Sequence, residues 1–141
     1  MLHKKKDLDM KKIMFVPVLL ALAACGGRSS VDNDKVFFAF DSAELTSCAT
    51  NELKDQANYM KRNPDVNVVL EGHCDERGST EYNLALGALR AGNAAHVILK
   101  EGIEPERVKT ISYGKENPQY SGTGEAVWAK NRNVTTKVKA K

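Results

Sequence analysis

Residues Glu71 to Ala91 hold the side-chain types needed to grip a small zwitterion. Asp75 lies in a polar turn after a short apolar run, and Arg90 falls in the second or third turn of the helix expected next. The acid can take an ammonium. The arginine can take a carboxylate, whose two oxygens match its planar fork of donors. Helical rise from Thr80 to Arg90 is about 15 Å, and the loop before it can span about 17 Å. The loop can therefore fold back and bring Asp75 close to Arg90. On a helical wheel Arg90 sits at the edge of the apolar stripe, beside Leu86 and Val97, desolvated on one side and open on the other. Composition alone favours two solvated charges.

The same stretch contains His73, Cys74, Asp75 and Glu76, the types found in a cysteine nucleophile or a metal site. Adjacent residues at a strand end point to opposite faces, so His73 is badly placed to act as a base for Cys74. The other histidines are His3 and His96, which leaves no set with metal-ligand spacing. A hydrolase would need paired carboxylates, a zinc set or a cysteine–histidine pair in one cleft. No catalytic residue, metal or cofactor is therefore expected.

Elements that position these residues follow from periodicity. Val36 to Phe40 is β-branched and aromatic, an expected first strand. Thr46 is placed to cap a helix running to Arg62, with Leu53, Ala57 and Met60 on one face and Asn63-Pro64 stopping it. Val66, Val68 and Leu70 alternate in a second strand, where Val69 suggests burial on both faces. A long helix runs from near Thr80 to Glu101, closed by Gly102. Leu84, Ala88, Ala91, Ala95 and Ile98 form its stripe, with Gly87 and Ala94 beside them, small enough to let the helix lie close to a sheet. Val108 to Tyr113 is a third strand ending at Gly114, Glu125 to Asn131 a short helix, and Val134, Thr136 and Val138 a fourth strand. Strand–helix alternation gives an α/β layer fold, one sheet with helices packed on it.

The N-terminus stands apart. Lys11 and Lys12 precede an apolar run from Ile13 to Ala24 that is too short to span a bilayer and reads as a secretory signal. Met10 is a second candidate start. The run ends Leu22-Ala23-Ala24-Cys25-Gly26, which resembles a bacterial lipobox whose cysteine, here Cys25, becomes the lipidated first residue. Gly26, rather than an aspartate, favours the outer membrane, with the chain facing the periplasm. Residues 25–35 are then the lipidated N-terminus and a short flexible tether, and residues 36–141 the domain. Residues 1–24 hold five lysines and two aspartates, so the remainder carries 16 basic and 16 acidic groups. That balance argues against a nucleic-acid partner. Lys137, Lys139 and Lys141 read as the solvated face of the last strand. Cys48 and Cys74 remain in a compartment that permits disulfides. If strands one and two are parallel neighbours, both cysteines share one sheet edge and a bridge is geometrically allowed; two separate thiols are the alternative.

Phe40-Asp41-Ser42, Glu71-Gly-His-Cys-Asp-Glu-Arg-Gly78, Tyr82-Asn-Leu-Ala-Leu-Gly87, Leu89-Arg-Ala91, Ser112-Tyr-Gly114, Pro118 and Asn131-Arg132 occur in an order and spacing that resembles the OmpA-like peptidoglycan-binding domain, in its peptidoglycan-associated lipoprotein branch. The resemblance covers nearly all of Val36 to Val138. It implies a mixed four-stranded sheet with helices on one face. It further implies that Asp75 and Arg90 clasp the free end of meso-diaminopimelate in the stem peptide, with Phe40, Asp41, Arg77 and Leu86 lining the site. In that branch the protein tethers the outer membrane to the wall, joins a Tol–Pal system and binds a TolB-like β-propeller. One departure is Asn133, where the family usually has a second arginine.

Overall fold

The computed structural model describes residues 28–139. The signal reading of residues 1–24, Cys25 and Lys141 lie outside them.

Four strands, β1 (Lys35–Phe37), β2 (Asn67–His73), β3 (Val108–Gly114) and β4 (Asn133–Lys139), form one sheet in the order β1-β4-β2-β3. β2 and β3 are parallel, and β4 runs antiparallel to both β1 and β2, which makes the sheet mixed. The helices are α1 (Ser47–Arg62), α2 (Thr80–Lys100) and α3 (Glu125–Asn131), with a 3-10 turn at Pro105–Arg107. Thr46 caps α1 by accepting from the Ala49 amide, and Ser79 caps α2 by accepting from Tyr82.

Strand alternation decides the two faces. Val68 and Leu70 of β2, with Val134 of β4 and Val36 of β1, form a core with Leu53, Ala57 and Met60 of α1 and Ala91, Ala94 and Ile98 of α2. The long helix comes close because glycines face each other. A Cβ on Gly72 would lie 1.9 Å from the Gly87 carbonyl oxygen, and one on Gly87 would lie 2.3 Å from Ser112 Oγ. This contact sets α2 directly over the end of β2, where the sequence turns into Cys74 and Asp75.

The structure corrects four expectations. The first strand ends at Phe37 rather than Phe40, because Asp41 takes a positive φ of 53° and turns the chain away. The stripe of α2 is rotated: Leu84 and Ala88 are exposed, and Asn83, Leu86, Gly87 and Arg90 take the buried positions. Residues 28–34, read as a flexible tether, are docked. Val31 is fully buried, Asn33 N–H donates to Thr136 O at 2.8 Å, and Arg28 pairs with Asp34 and Glu52. Finally, Cys48 and Cys74 are both free thiols, one exposed and one buried. β4 lies between the strands expected to be neighbours, and the Cys74 thiol donates instead to Asn83 O at 3.3 Å.

Candidate functional site

The loop after β1, the loop after β2 and the first half of α2 surround a cavity of about 360 Å³. Phe40, Asp41, Asp75, Arg77, Leu86 and Arg90 all line it, together with Cys74, Gly78, Tyr82 and Asn83. Every side chain that the sequence offered for ligand binding is thus brought to one cavity, although Asp75 and Arg90 are not the simple facing pair expected.

Arg90 is almost wholly buried, at 1% exposure, and not at an edge. Its Nε donates to Ser42 O at 2.8 Å, Nη1 to His73 O at 2.9 Å and Nη2 to Ala39 O at 3.1 Å. These bonds tie the turn after β1 to the end of β2 and both to α2. A guanidinium has five N–H donors, so two are not used by these carbonyls. Burial, with a smaller contribution from repulsion by Arg132, lowers its basicity below the usual guanidinium range.

Asp75 is also buried, and its ion pairs are with Arg77 and Arg132. Arg77 offers its fork, Nη2 to Oδ2 at 2.9 Å and Nε to Oδ1 at 3.2 Å, and its backbone N–H reaches Oδ1 at 3.0 Å. Arg132 Nη1 adds a bond to Oδ2 at 3.3 Å. Burial would raise this carboxyl, but the bonds from Arg77 and Arg132 outweigh it and hold the group below the ordinary 3.8. Asp75 therefore stays ionised in a desolvated setting, as an acceptor for cationic groups must.

Arg77 closes the lip of the cavity. Its guanidinium carbon lies 3.9 Å from the Phe40 ring centroid and 4.0 Å from that of Trp128. Trp128 Nε1 in turn donates to Glu76 Oε1 at 2.8 Å. On the far wall the Tyr82 hydroxyl bonds Asp41, and Asn83 Nδ2 donates to Arg77 O and Ser79 O, which fixes the loop.

His73 and Cys74 diverge. The His73 ring stacks on Tyr113 at 5.4 Å on the other face of the sheet, while the thiol faces α2. Arg132, Trp128 and Glu125 surround the cavity and Tyr82 lines it, and none of the four was assigned a place in the site from sequence. Arg132 stands in a family-like Asn-Arg marker, which was the available signal; Trp128 had none. Asn133 does not copy an arginine. It is fully buried, donating to Gln119 Oε1 at 2.9 Å and Lys130 O at 2.8 Å, and so fastens the loop before α3 to the sheet.

The OmpA family model matches residues 37–132. The peptidoglycan-associated lipoprotein of Agrobacterium fabrum is 42% identical over 103 residues, covering 73% of this chain and 58% of that protein. That of Legionella pneumophila is 41% identical over 102 residues, covering 72% and 58%. This chain therefore spans less than two thirds of the curated relatives that it matches. The crystal structure of the peptidoglycan-associated lipoprotein from Burkholderia pseudomallei superposes with a TM-score of 0.72 at 35% identity, over 74% of this chain and 89% of that one. The C-terminal domain of Helicobacter pylori MotB, at 21% identity and a TM-score of 0.71 over 77% and 85%, shares the fold.

Proposed function

Because this chain belongs to the OmpA family, we propose that it binds peptidoglycan without covalent chemistry, through the cavity between Phe40 and Arg90. The observation that carries this reading is the convergence of Phe40, Asp41, Asp75, Arg77, Leu86 and Arg90 on one cavity. The stem-peptide residue meso-diaminopimelate offers a free ammonium and a free carboxylate at one end. Asp75 and Asp41 supply acceptors for the ammonium. The Arg90 donors not bonded to carbonyls supply the complement of the carboxylate. Phe40 and Leu86 give the methylene chain between them an apolar wall. No step in this account makes or breaks a covalent bond, so the role is that of a binding module.

Cys25 carries the second half of the role. Three acyl chains on the mature N-terminus would hold the protein at the outer membrane, since each buried methylene adds about 0.8 kcal/mol. With the domain on the wall and the lipid in the membrane, the chain is a tether between the two layers. The likeness to peptidoglycan-associated lipoproteins supports membership of a Tol–Pal system acting in envelope integrity and division, with a TolB-like β-propeller as protein partner.

The test is co-sedimentation of the purified protein with sacculi. Sacculi containing meso-diaminopimelate should retain it. Sacculi with lysine at that position lack the terminal carboxylate and should bind at least tenfold more weakly. Equal binding to both would remove diaminopimelate as the ligand. In cells, Cys25→Ser should abolish acyl labelling and release the protein from the outer-membrane fraction.

A further inference from the structure

The face of the sheet turned away from α1 and α2 bears a basic field that the wall-binding reading leaves unused. Strand register puts Lys109, Val69 and Lys137 in one cross-strand row, Asn67 and Lys139 in the row towards the strand ends, and Ile111, Glu71, Thr135 and Lys35 in the row on the other side. Gln119 covers the part of this face near His73, Asn133 and Thr135. The uncovered remainder holds four lysines and one glutamate, with Ile111 41% exposed among them and Phe37 49% exposed at its border. Lys109 and Lys139, with Arg107, Asn67 and Glu106, line a groove of about 300 Å³ at one end of it. Arg107 is spent on the carbonyls of Met60, Asn63 and Val66 and on Glu104. Lys35 is pushed below its ordinary 10.5 by burial and then by Lys137 beside it, which outweigh Glu71 and Asp34. Lys35 and Lys137 therefore repel each other, and an anionic surface would relieve that repulsion.

A second, independent observation says which surface lies within reach. Arg28 is pinned both to Asp34, at 3.0 Å, and to Glu52 of α1, so the chain enters the domain at the β1 edge of the sheet, where Asp34 immediately precedes Lys35 of this face. Three Cα–Cα steps separate Arg28 from Cys25, a reach of about 11 Å whatever their conformation. We propose that this basic face docks on the anionic lipid headgroups of the membrane that holds the chain, so that the domain lies against the bilayer. The orientation rests on the reading of Cys25 as a lipid anchor; the affinity of the face for lipid does not. In that arrangement the wall-binding cavity, at the end of the sheet where β2 finishes, is left open to the periplasm.

The decisive experiment uses the mature chain, residues 25–141, carrying Cys25→Ser so that no acyl chain contributes. Its net charge is zero, so attraction to anionic lipid must come from how the charges are arranged. Vesicles of phosphatidylcholine with one third phosphatidylglycerol should retain it, and pure phosphatidylcholine vesicles should not. Each lysine near an anionic leaflet strengthens partitioning about fivefold. Lys109→Glu with Lys139→Glu should therefore lower the partition coefficient more than twentyfold. Lys54→Glu with Arg62→Glu on α1 makes the same change in net charge and should lower it less than fivefold. Retention should also fall steeply in 0.5 M salt. Equal retention on neutral vesicles, no retention on anionic ones, or equal losses in the two charge-reversed pairs would each overturn the proposal. Acyl labelling of the unsubstituted chain tests the anchor separately.

Discussion

Arg77 holds Asp75 by both carboxylate oxygens, with Nη2 2.9 Å from Oδ2 and Nε 3.2 Å from Oδ1. A ligand ammonium that uses Asp75 must either share this carboxylate with Arg77 or displace the guanidinium from it. The same guanidinium is stacked between Phe40 and Trp128, so any movement is felt by an indole ring 4.0 Å away.

Trp128 is the only tryptophan in the chain, which makes it a built-in reporter. Titration with a soluble muropeptide containing diaminopimelate should change its emission, and Arg77→Ala should remove most of that change. Unaltered emission at saturating muropeptide would mean that the ligand leaves the stack in place.

Acid should loosen the protein in two stages. Burial, only partly offset by Glu71, keeps His73 neutral and below its ordinary 6.5. The unfolded chain therefore binds the proton first, and stability is lost as pH falls through 6.5 towards the lower folded value. Asp75, held below 3.8, contributes stability that is complete above that value and is lost as pH falls further through its folded pKa. Chemical denaturation at stepped pH should show both phases. Asp75→Asn should flatten the second, at a cost of about 1.5–3 kcal/mol near neutral pH, because the charged bonds from Arg77 and Arg132 are weakened while Arg132 keeps Glu125 as its acidic partner. A parent and variant with parallel acid limbs below pH 4 would contradict this assignment.

What the sequence revealed was mostly local. The cap at Thr46, the small residues facing β2 and the bounds of α3 depend on residues a few positions apart, and each was legible. The rotated stripe of α2 was not, because apolar periodicity assumes that polar residues face water. Asn83 and Arg90 break that assumption: both are buried with their donors bonded to backbone carbonyls, while Leu84 is left 39% exposed. Buried polar groups are tolerated when satisfied in this way, and no pattern within α2 identifies their partners.

Long-range partners were equally hidden. Arg132 reaches Asp75 across 57 positions, and Trp128 meets Arg77 only because α3 folds over the loop after β2. The docking of residues 28–34 depends on an edge of β4 that is not apparent from the polar composition of those residues. Strand order was the deciding unknown for the cysteines, since β4 inserts between β1 and β2.

Gly72→Ala should test the close approach of α2. The new Cβ would meet the backbone carbonyl of Gly87, which cannot rotate away as a side chain can. Overpacking in a core costs about 1–3 kcal/mol, and a backbone obstacle should place this variant at or above the upper end. Gly92→Ala, where a Cβ meets nothing within 4 Å, should be neutral or slightly stabilising. Similar melting temperatures for the two would show that the helix can shift at little cost.

Arg90 and Asp75 should fail for different reasons. Asp75 anchors charge at the cavity, whereas Arg90 also bonds three carbonyls, two in the turn after β1 and one at the end of β2. Arg90→Ala should therefore lower both stability and wall binding, the first by about 3 kcal/mol or more, since a hydrogen bond to a charged group contributes about 1.5–3 kcal/mol. Arg90→Lys keeps the charge but replaces the planar fork with a single ammonium, and it should remain measurably destabilised. Asp41→Asn removes a carboxylate from the cavity wall without touching those carbonyls. It should weaken binding to diaminopimelate-containing sacculi several-fold while the melting temperature stays within a few degrees of the parent. Binding measured well below each variant's melting temperature separates the two roles. A fully stable Arg90→Ala protein would show that the three carbonyl bonds do not hold the turn after β1 to the end of β2. A fully stable variant that also bound sacculi like the parent would remove Arg90 from the site altogether.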